Sequence, residues 1–199
     1  MAASTALADP RLEAYLGLLA KWNAAYNLTA VRDPAQMRTQ HLADCLAVVG
    51  PLRHRLGAGR PARVLDVGSG GGLPGVVLAL AEPGWDVTCV DAVGKKAAFV
   101  RQVASELALP NLRAEHARVE ALKAAPFGVI TSRAFAALAD FVRLTRPLLA
   151  PGGMWMAMKG KRPDDEIAAL PADIGVVAVE PLSVPGLDAE RCLVWMQPR

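Results

Sequence analysis

The sequence predicts an α/β fold: a mostly parallel sheet with helices on both faces, preceded by a helical extension. From Arg63 onward, short apolar runs alternate with stretches of helical period. That order builds parallel strands joined by crossover helices. The first 56 residues lack such runs and carry helical stripes instead. Five glycines fall within residues 68–75, directly after the first apolar run. Doubly wound sheets place such a turn at their ligand crevice.

Taken in order, Leu12, Tyr15, Leu16, Leu19, Trp22 and Tyr26 recur at three- and four-residue steps. This apolar stripe makes the opening segment a helix, with Trp22 and Tyr26 as core packing. Asn27-Leu28-Thr29 breaks the stripe, and Asp33-Pro34 supplies an N-cap and first-turn proline for a second helix to about Val49. A Gly/Pro/Arg-rich joint at 57–61 separates a helical extension, 1–61, from an α/β unit, 62–199, the two packed as one structural unit. Strands are expected at 64–67, 86–91, 111–114, 128–131 and 154–158. Helices are expected at 74–81, 95–107 and 138–149. A charged helix at 164–170 precedes two last strands, 176–180 and 192–196, placed at the sheet edge.

A chain of 199 residues can bury about 70% of its unfolded surface, enough for a core without disulfides or metal. No apolar run approaches the roughly 18 residues of a membrane helix, and the opening residues show no basic-then-apolar leader. Cys45, Cys89 and Cys192 are far apart in apolar surroundings. They read as small core hydrophobes rather than metal ligands, which suits a reducing cytoplasm. Residues 1–65 hold eight Lys/Arg against four Asp/Glu, while the remainder is nearly balanced. A basic bias confined to the N-terminal third is compatible with a polyanionic partner.

The glycine loop raises the question of which ligand it cradles. Asp91 ends the second strand, 23 residues beyond Gly68, where a carboxylate suits a ribose diol. Gly70, Gly72 and Gly75 also spell G-x-G-x-x-G, so these features alone fit a dinucleotide equally well. Asp66 separates the two. A pyrophosphate at this turn would be repelled by a carboxylate two residues before the loop. S-adenosyl-L-methionine carries a sulfonium and an ammonium, which Asp66 complements. The loop also lacks the Lys-Ser/Thr ending of a phosphate cradle.

Val-Leu-Asp-Val-Gly-Ser-Gly-Gly-Gly-Leu-Pro-Gly, residues 64–75, resembles the first motif of class I (Rossmann-like) methyltransferases. Its Gly-Leu-Pro-Gly ending resembles the bacterial RsmG (GidB) family. Trp22-Asn23, Asn27-Leu28-Thr29, His41-Leu42 with Asp44, Lys95-Lys96, Phe99-Val100, Arg118-Val119-Glu120, Ser132-Arg133-Ala134 and Lys159-Gly160 follow in that family's order and spacing. The resemblance covers residues 10–197. Cys45 departs from it, standing where the family usually has serine. The resemblance implies methyl transfer from S-adenosyl-L-methionine to N7 of a guanine in 16S ribosomal RNA of the small ribosomal subunit. It implies cofactor contacts at Gly68, Leu73, Val119, Glu120 and Arg133. Asp66, Gly70 and Asp91 join them from the reading of the loop.

Guanine N7 carries an in-plane lone pair and no proton, so no general base is required and no catalytic residue is assigned. Catalysis then rests on proximity and alignment. No Asn/Asp-Pro-Pro-aromatic loop follows the fourth strand, and no cysteine follows a proline, so amine and pyrimidine-carbon chemistries lack their residues. Asn23, Asn27, His41 and Asp44 are expected to line the target pocket with Arg133, and His41 and Asp44 to reach each other on one helical face. Arg32, Arg38, Lys95, Lys96, Arg101, Lys159, Lys161 and Arg162 are candidates for phosphate contacts. The expected protein is a cytoplasmic monomer that binds no membrane. Two rivals stay open at this point: a small-metabolite methyltransferase with a helical lid, and a nicotinamide- or flavin-binding protein.

Overall fold

The computed structural model describes residues 9–199. The first eight residues, part of the expected extension and of the stretch read for a leader, lie outside them. Helix α1, Pro10–Tyr26, starts on an Asp9 cap whose carboxylate accepts from the Arg11 N–H. It ends at Asn27 in the left-handed region. The second helical stretch is not one regular helix. Helix α2, Pro34–Met37, passes through a π-helical turn, Arg38–Ala43, into α3, Asp44–Ala47. Helix α4, Val49–Leu56, then carries the chain past the expected end at Val49.

Strands β1 Ala62–Val67, β2 Trp85–Asp91, β3 Leu112–His116, β4 Phe127–Ser132 and β5 Leu149–Lys159 run parallel, and β7 Cys192–Pro198 runs antiparallel between β5 and β6 Ile174–Pro181. The order across the sheet is β3-β2-β1-β4-β5-β7-β6. It reverses direction between β1 and β4, the switch point where such folds bind ligands. The crossovers are α5 Gly75–Ala81, α6 Gly94–Glu106 and α7 Leu138–Thr145, and α8, Asp164–Ala168, follows β5. Helix α7 stops earlier than expected because Pro147 cannot donate in a continuing helix; a 3-10 turn, Arg146–Leu148, takes over.

Alternation along the strands divides the core into two layers. Val64, Val87, Val129 and Met156 face Leu12, Tyr15, Leu16, Leu19 and Phe99, so the N-terminal helices and the sheet share one apolar layer. Leu65, Val67, Ile130 and Trp155 face Phe141 and Leu138 on the other side. Among the described residues, no helix is long and apolar enough to cross a membrane.

Candidate cofactor and target pockets

The glycine loop leaves β1 at Gly68 with φ +65°, a conformation glycine adopts without steric cost. Gly68 and Ser69 both donate to the Val90 carbonyl, at 2.9 and 3.3 Å, tying the loop to β2. Asp91 completes the tie. Its Oδ2 accepts from the Gly70 N–H at 3.0 Å and its Oδ1 from Val93 at 2.8 Å. Gly75 is the close approach: a Cβ there would stand 2.3 Å from Cys89 Sγ and 2.9 Å from Asp66 Oδ2.

Asp66 is fully buried. In register with Cys89 and Thr131, it sits under the loop, where its Oδ2 accepts from the Gly75 N–H at 2.8 Å. Its Oδ1 and the adjacent Thr131 Oγ1 are buried without hydrogen-bond partners. Burial raises this carboxyl to about 7, against the Gly75 hydrogen bond and the attraction of Arg133. A buried carboxylate oxygen lacking a donor is costly alone and favours a nearby cation.

One pocket of about 180 Å3 opens at the carboxyl ends of β1 to β3. Val67, Val90, Val119 and Leu144 give it apolar walls, Gly68 and Phe135 one end, and Asp91 and Glu120 its acidic groups. Arg118 is the single cation in its lining among the described residues. Aromatic-sized apolar walls with two carboxylates suit an adenosine and its diol, and the orphaned Asp66 oxygen suits a positively charged tail. S-adenosyl-L-methionine fits the residues present.

A second, wider pocket of about 480 Å3 lies over the ends of β4, β5 and β7. Its roof comes from the extension, through Thr29, Gln40, His41 and Asp44. Arg133, Lys159 and Arg191 supply positive charge below. Arg133 Nη1 donates to the Gln40 carbonyl at 3.2 Å and to His41 Nδ1 at 3.3 Å, and lies 3.8 Å from Asp44 Oδ2. An arginine is always a donor, so His41 Nδ1 accepts, and its Nε2 carries the proton toward Thr29 Oγ1 at 2.8 Å. Burial, then the Arg133 charge, pushes His41 down to about 4. It is neutral at physiological pH.

Of the residues expected at the cofactor, Gly68, Asp91, Val119 and Glu120 line the first pocket. Asp66, Gly70 and Leu73 stand behind its wall: Leu73 is core, and Gly70 reaches the pocket only through Asp91. Arg133 lines the second pocket instead. His41 and Asp44 line the second pocket, joined through Arg133 rather than to each other. Asn23 and Asn27 do not. Asn23 is buried and clamps the chain after α1, donating to the Val31 carbonyl and accepting from Thr29 N–H. Asn27 is spent on the helix end, where its Oδ1 accepts from Arg32. Among the basic candidates, Arg38 pairs with Glu13, Lys96 with Asp91, Lys159 with Glu166 and Arg162 with Asp164. The sequence reading missed Tyr15, whose buried hydroxyl donates to the Gly71 carbonyl at 2.6 Å. It also missed Phe135, which closes the first pocket, and Arg191. Only Tyr15 left a signal, a hydroxyl in the middle of the stripe among leucines.

Residues 8–194 match the family described as rRNA small subunit methyltransferase G. A protein named ribosomal RNA small subunit methyltransferase G from Leptothrix cholodnii is 66% identical over 188 residues, covering 94% of this chain and 86% of that protein. One of the same name from Methylibium petroleiphilum is 61% identical over 192 residues, covering 96% and 86%. Solved structures share the fold at low identity. The glycopeptide N-methyltransferase MtfA complexed with S-adenosyl-L-methionine has a TM-score of 0.64 at 13% identity over 80% of this chain and 95% of that one. TrmN from Thermus thermophilus has a TM-score of 0.62 at 22% identity over 78% of this chain and 49% of that one. A class I methyltransferase sheet and a sequence match over nearly its whole length place this chain in the rRNA small subunit methyltransferase G (GidB) family.

Proposed function

We propose that this protein transfers a methyl group from S-adenosyl-L-methionine to N7 of a guanine in 16S ribosomal RNA of the small ribosomal subunit. The observation that carries the reading is a pair of pockets side by side at the carboxyl ends of the strands. Both have apolar walls, but the first carries Asp91 and Glu120 against Arg118 and the second Arg133, Lys159 and Arg191 against Asp44, with residues 133–135 between them. A bound S-adenosyl-L-methionine supplies an electrophilic methyl on a sulfonium.

The chain's own residues do the positioning. Val67 and Val119 flank the adenine slot, and Asp91 and Glu120 stand ready for ribose and base hydrogen bonds. The loop pinned by Asp91 fixes where the methionine end lies. Guanine N7 attacks through its own lone pair and loses no proton, so the site needs alignment and water exclusion rather than a base. The neutral His41, with its Nδ1 lone pair already taken by Arg133, is a positioning group.

The test is methyl transfer from labelled S-adenosyl-L-methionine to small subunits from cells lacking the modification, followed by nucleoside analysis. Label in N7-methylguanosine supports the reading. Cofactor binding without label in RNA sinks it and moves the weight to a small-metabolite acceptor. That alternative also predicts turnover indifferent to salt, whereas phosphate contacts weaken steeply as salt rises.

A further inference from the structure

The wider pocket has three cationic side chains in its lining and a single carboxylate, Asp44. Phosphate binding explains the cations and leaves the carboxylate without a purpose, because an acid there repels the backbone it would touch. Its hydrogen bonding is also half complete. Oδ1 accepts from Arg191 Nε at 3.1 Å, while Oδ2 lies 3.8 Å from Arg133 Nη1, beyond hydrogen-bond reach. No described residue donates to Oδ2. Burial raises this carboxyl above its ordinary value, against the pull of Arg191 and Arg133, so a desolvated acceptor gains much from any donor brought to it.

We propose that Asp44 selects the target base by accepting N–H bonds from the N1 and N2 positions of guanine. This assignment rests on the reading of the substrate as guanine and adds the residue that recognises it. Guanine alone among the RNA bases presents two adjacent N–H donors on its Watson–Crick edge. Adenine and cytosine set a ring acceptor beside their amine, which a carboxylate repels, and uracil flanks its one N–H with carbonyls. A base taken out of its stack is commonly read on that edge.

The placement on the sheet agrees. Across the carboxyl ends stand Asp91 on β2, Gly68 after β1, Arg133 after β4 and Lys159 on β5. Arg191, which holds Asp44, comes just before β7. The cofactor pocket covers β1 to β3, and Asp44 is held between Arg133, beside the wall shared with that pocket, and Arg191 just before β7. N7 lies across the purine from N1 and N2. A guanine gripped by Asp44 through N1 and N2 therefore keeps N7 free on its opposite edge to receive the methyl. Arg191 fixes the carboxylate, and both arginines oppose the effect of its burial.

The test compares small subunits reconstituted with 16S RNA carrying guanine or inosine at the target position. Inosine keeps N7, O6 and N1–H and lacks only the N2 amine. With the wild-type protein, kcat/KM should fall by about tenfold to a hundredfold on inosine, the range for a bond to a charged acceptor. With Asp44→Asn, kcat/KM on guanine should fall at least tenfold, guanine and inosine should become equivalent, and S-adenosylhomocysteine binding should be unchanged. A wild-type protein that uses both bases equally overturns the assignment, and this arm stands even where the variant fails to fold. An Asp44→Asn protein that keeps the wild-type guanine preference overturns it as well. No methylation of guanine by the wild-type protein removes the substrate reading itself, and the assignment with it.

Discussion

Asp66 carries the sharpest consequence at the scale of single residues. Its carboxyl is raised to about 7 by burial, above the value it has in an unfolded chain. The folded protein without cofactor therefore holds a proton that the unfolded chain has released, between about pH 4 and 7. Stability from this group is lost as pH rises across that window, and the loss is complete above about 7. His41, lowered to about 4, works in the opposite sense: its contribution is present above about 6.5 and lost as pH falls toward 4. The two slopes overlap, so the comparison of Asp66→Asn with wild type isolates the first. The variant should gain stability relative to wild type as pH rises from 4 to 7. The gain should level off above 7, at on the order of 4 kcal/mol. Denaturant melts at pH 5, 6, 7 and 8 measure it, and a difference independent of pH would falsify the buried-charge account. The same variant should bind S-adenosyl-L-methionine about tenfold more weakly by calorimetry, since it lacks the charge that complements a cationic ligand. Equal binding would mean that Asp66 serves only to hold Gly75. The sequence made Asp66, Gly70 and Asp91 legible because a strand, a loop and the next strand place them at local spacings. The cluster of Arg133 with His41, 92 positions apart, and of Arg191 with Asp44, 147 apart, exists only after the sheet has closed. Spacing carries no sign of it.

Helix α1 is tied to the cofactor loop at the scale of elements. Its Tyr15 hydroxyl caps the Gly71 carbonyl, and its Trp22 packs 5.5 Å from Phe99 of α6. Tyr15→Phe removes one buried bond and leaves the Gly71 oxygen unpaired, a loss of about 1–2 kcal/mol. It should also weaken S-adenosyl-L-methionine binding several-fold, because the loop it frees is the one that positions the ligand. Thermal melts paired with calorimetric titration separate the two effects; lost stability with unchanged affinity would show the tie to be structural alone. Where α5 leaves the loop, Gly75→Ala would force a Cβ against Cys89 and Asp66. It should cost about 3 kcal/mol, read as a drop in the denaturant midpoint. Elements with strong period or a clear cap, such as α1, α6 and β2, stood out in the sequence. The π-helical turn at Arg38–Ala43 did not, because its local residues favour an ordinary helix. The turn brings His41 to the Arg133 side, and that demand comes from tertiary contact.

For the whole molecule, the question is whether the helical extension is a separable lid or part of the core. Leu12, Tyr15, Leu16 and Leu19 of α1 and Leu42, Cys45, Leu46 and Leu52 of the following helices belong to the same buried cluster as Val64, Val76, Phe99 and Met156. The extension also closes the wider pocket from above. Removing it exposes the part of this apolar layer that α5 and α6 do not cover, and a large exposed apolar patch drives association rather than stable folding. A fragment of residues 62–199 should therefore give no cooperative calorimetric transition and should elute from gel filtration as aggregate, although it keeps every strand and the glycine loop. A monomeric fragment with a sharp melt and intact S-adenosylhomocysteine binding would make the extension a lid, and substrate recognition could then be exchanged without touching the cofactor domain. The shared cluster argues for the first outcome. In that case the extension and the helices that follow the glycine loop, through Leu73, Val76 and Phe99, are packed by the same cluster, and the loop does not settle without the extension.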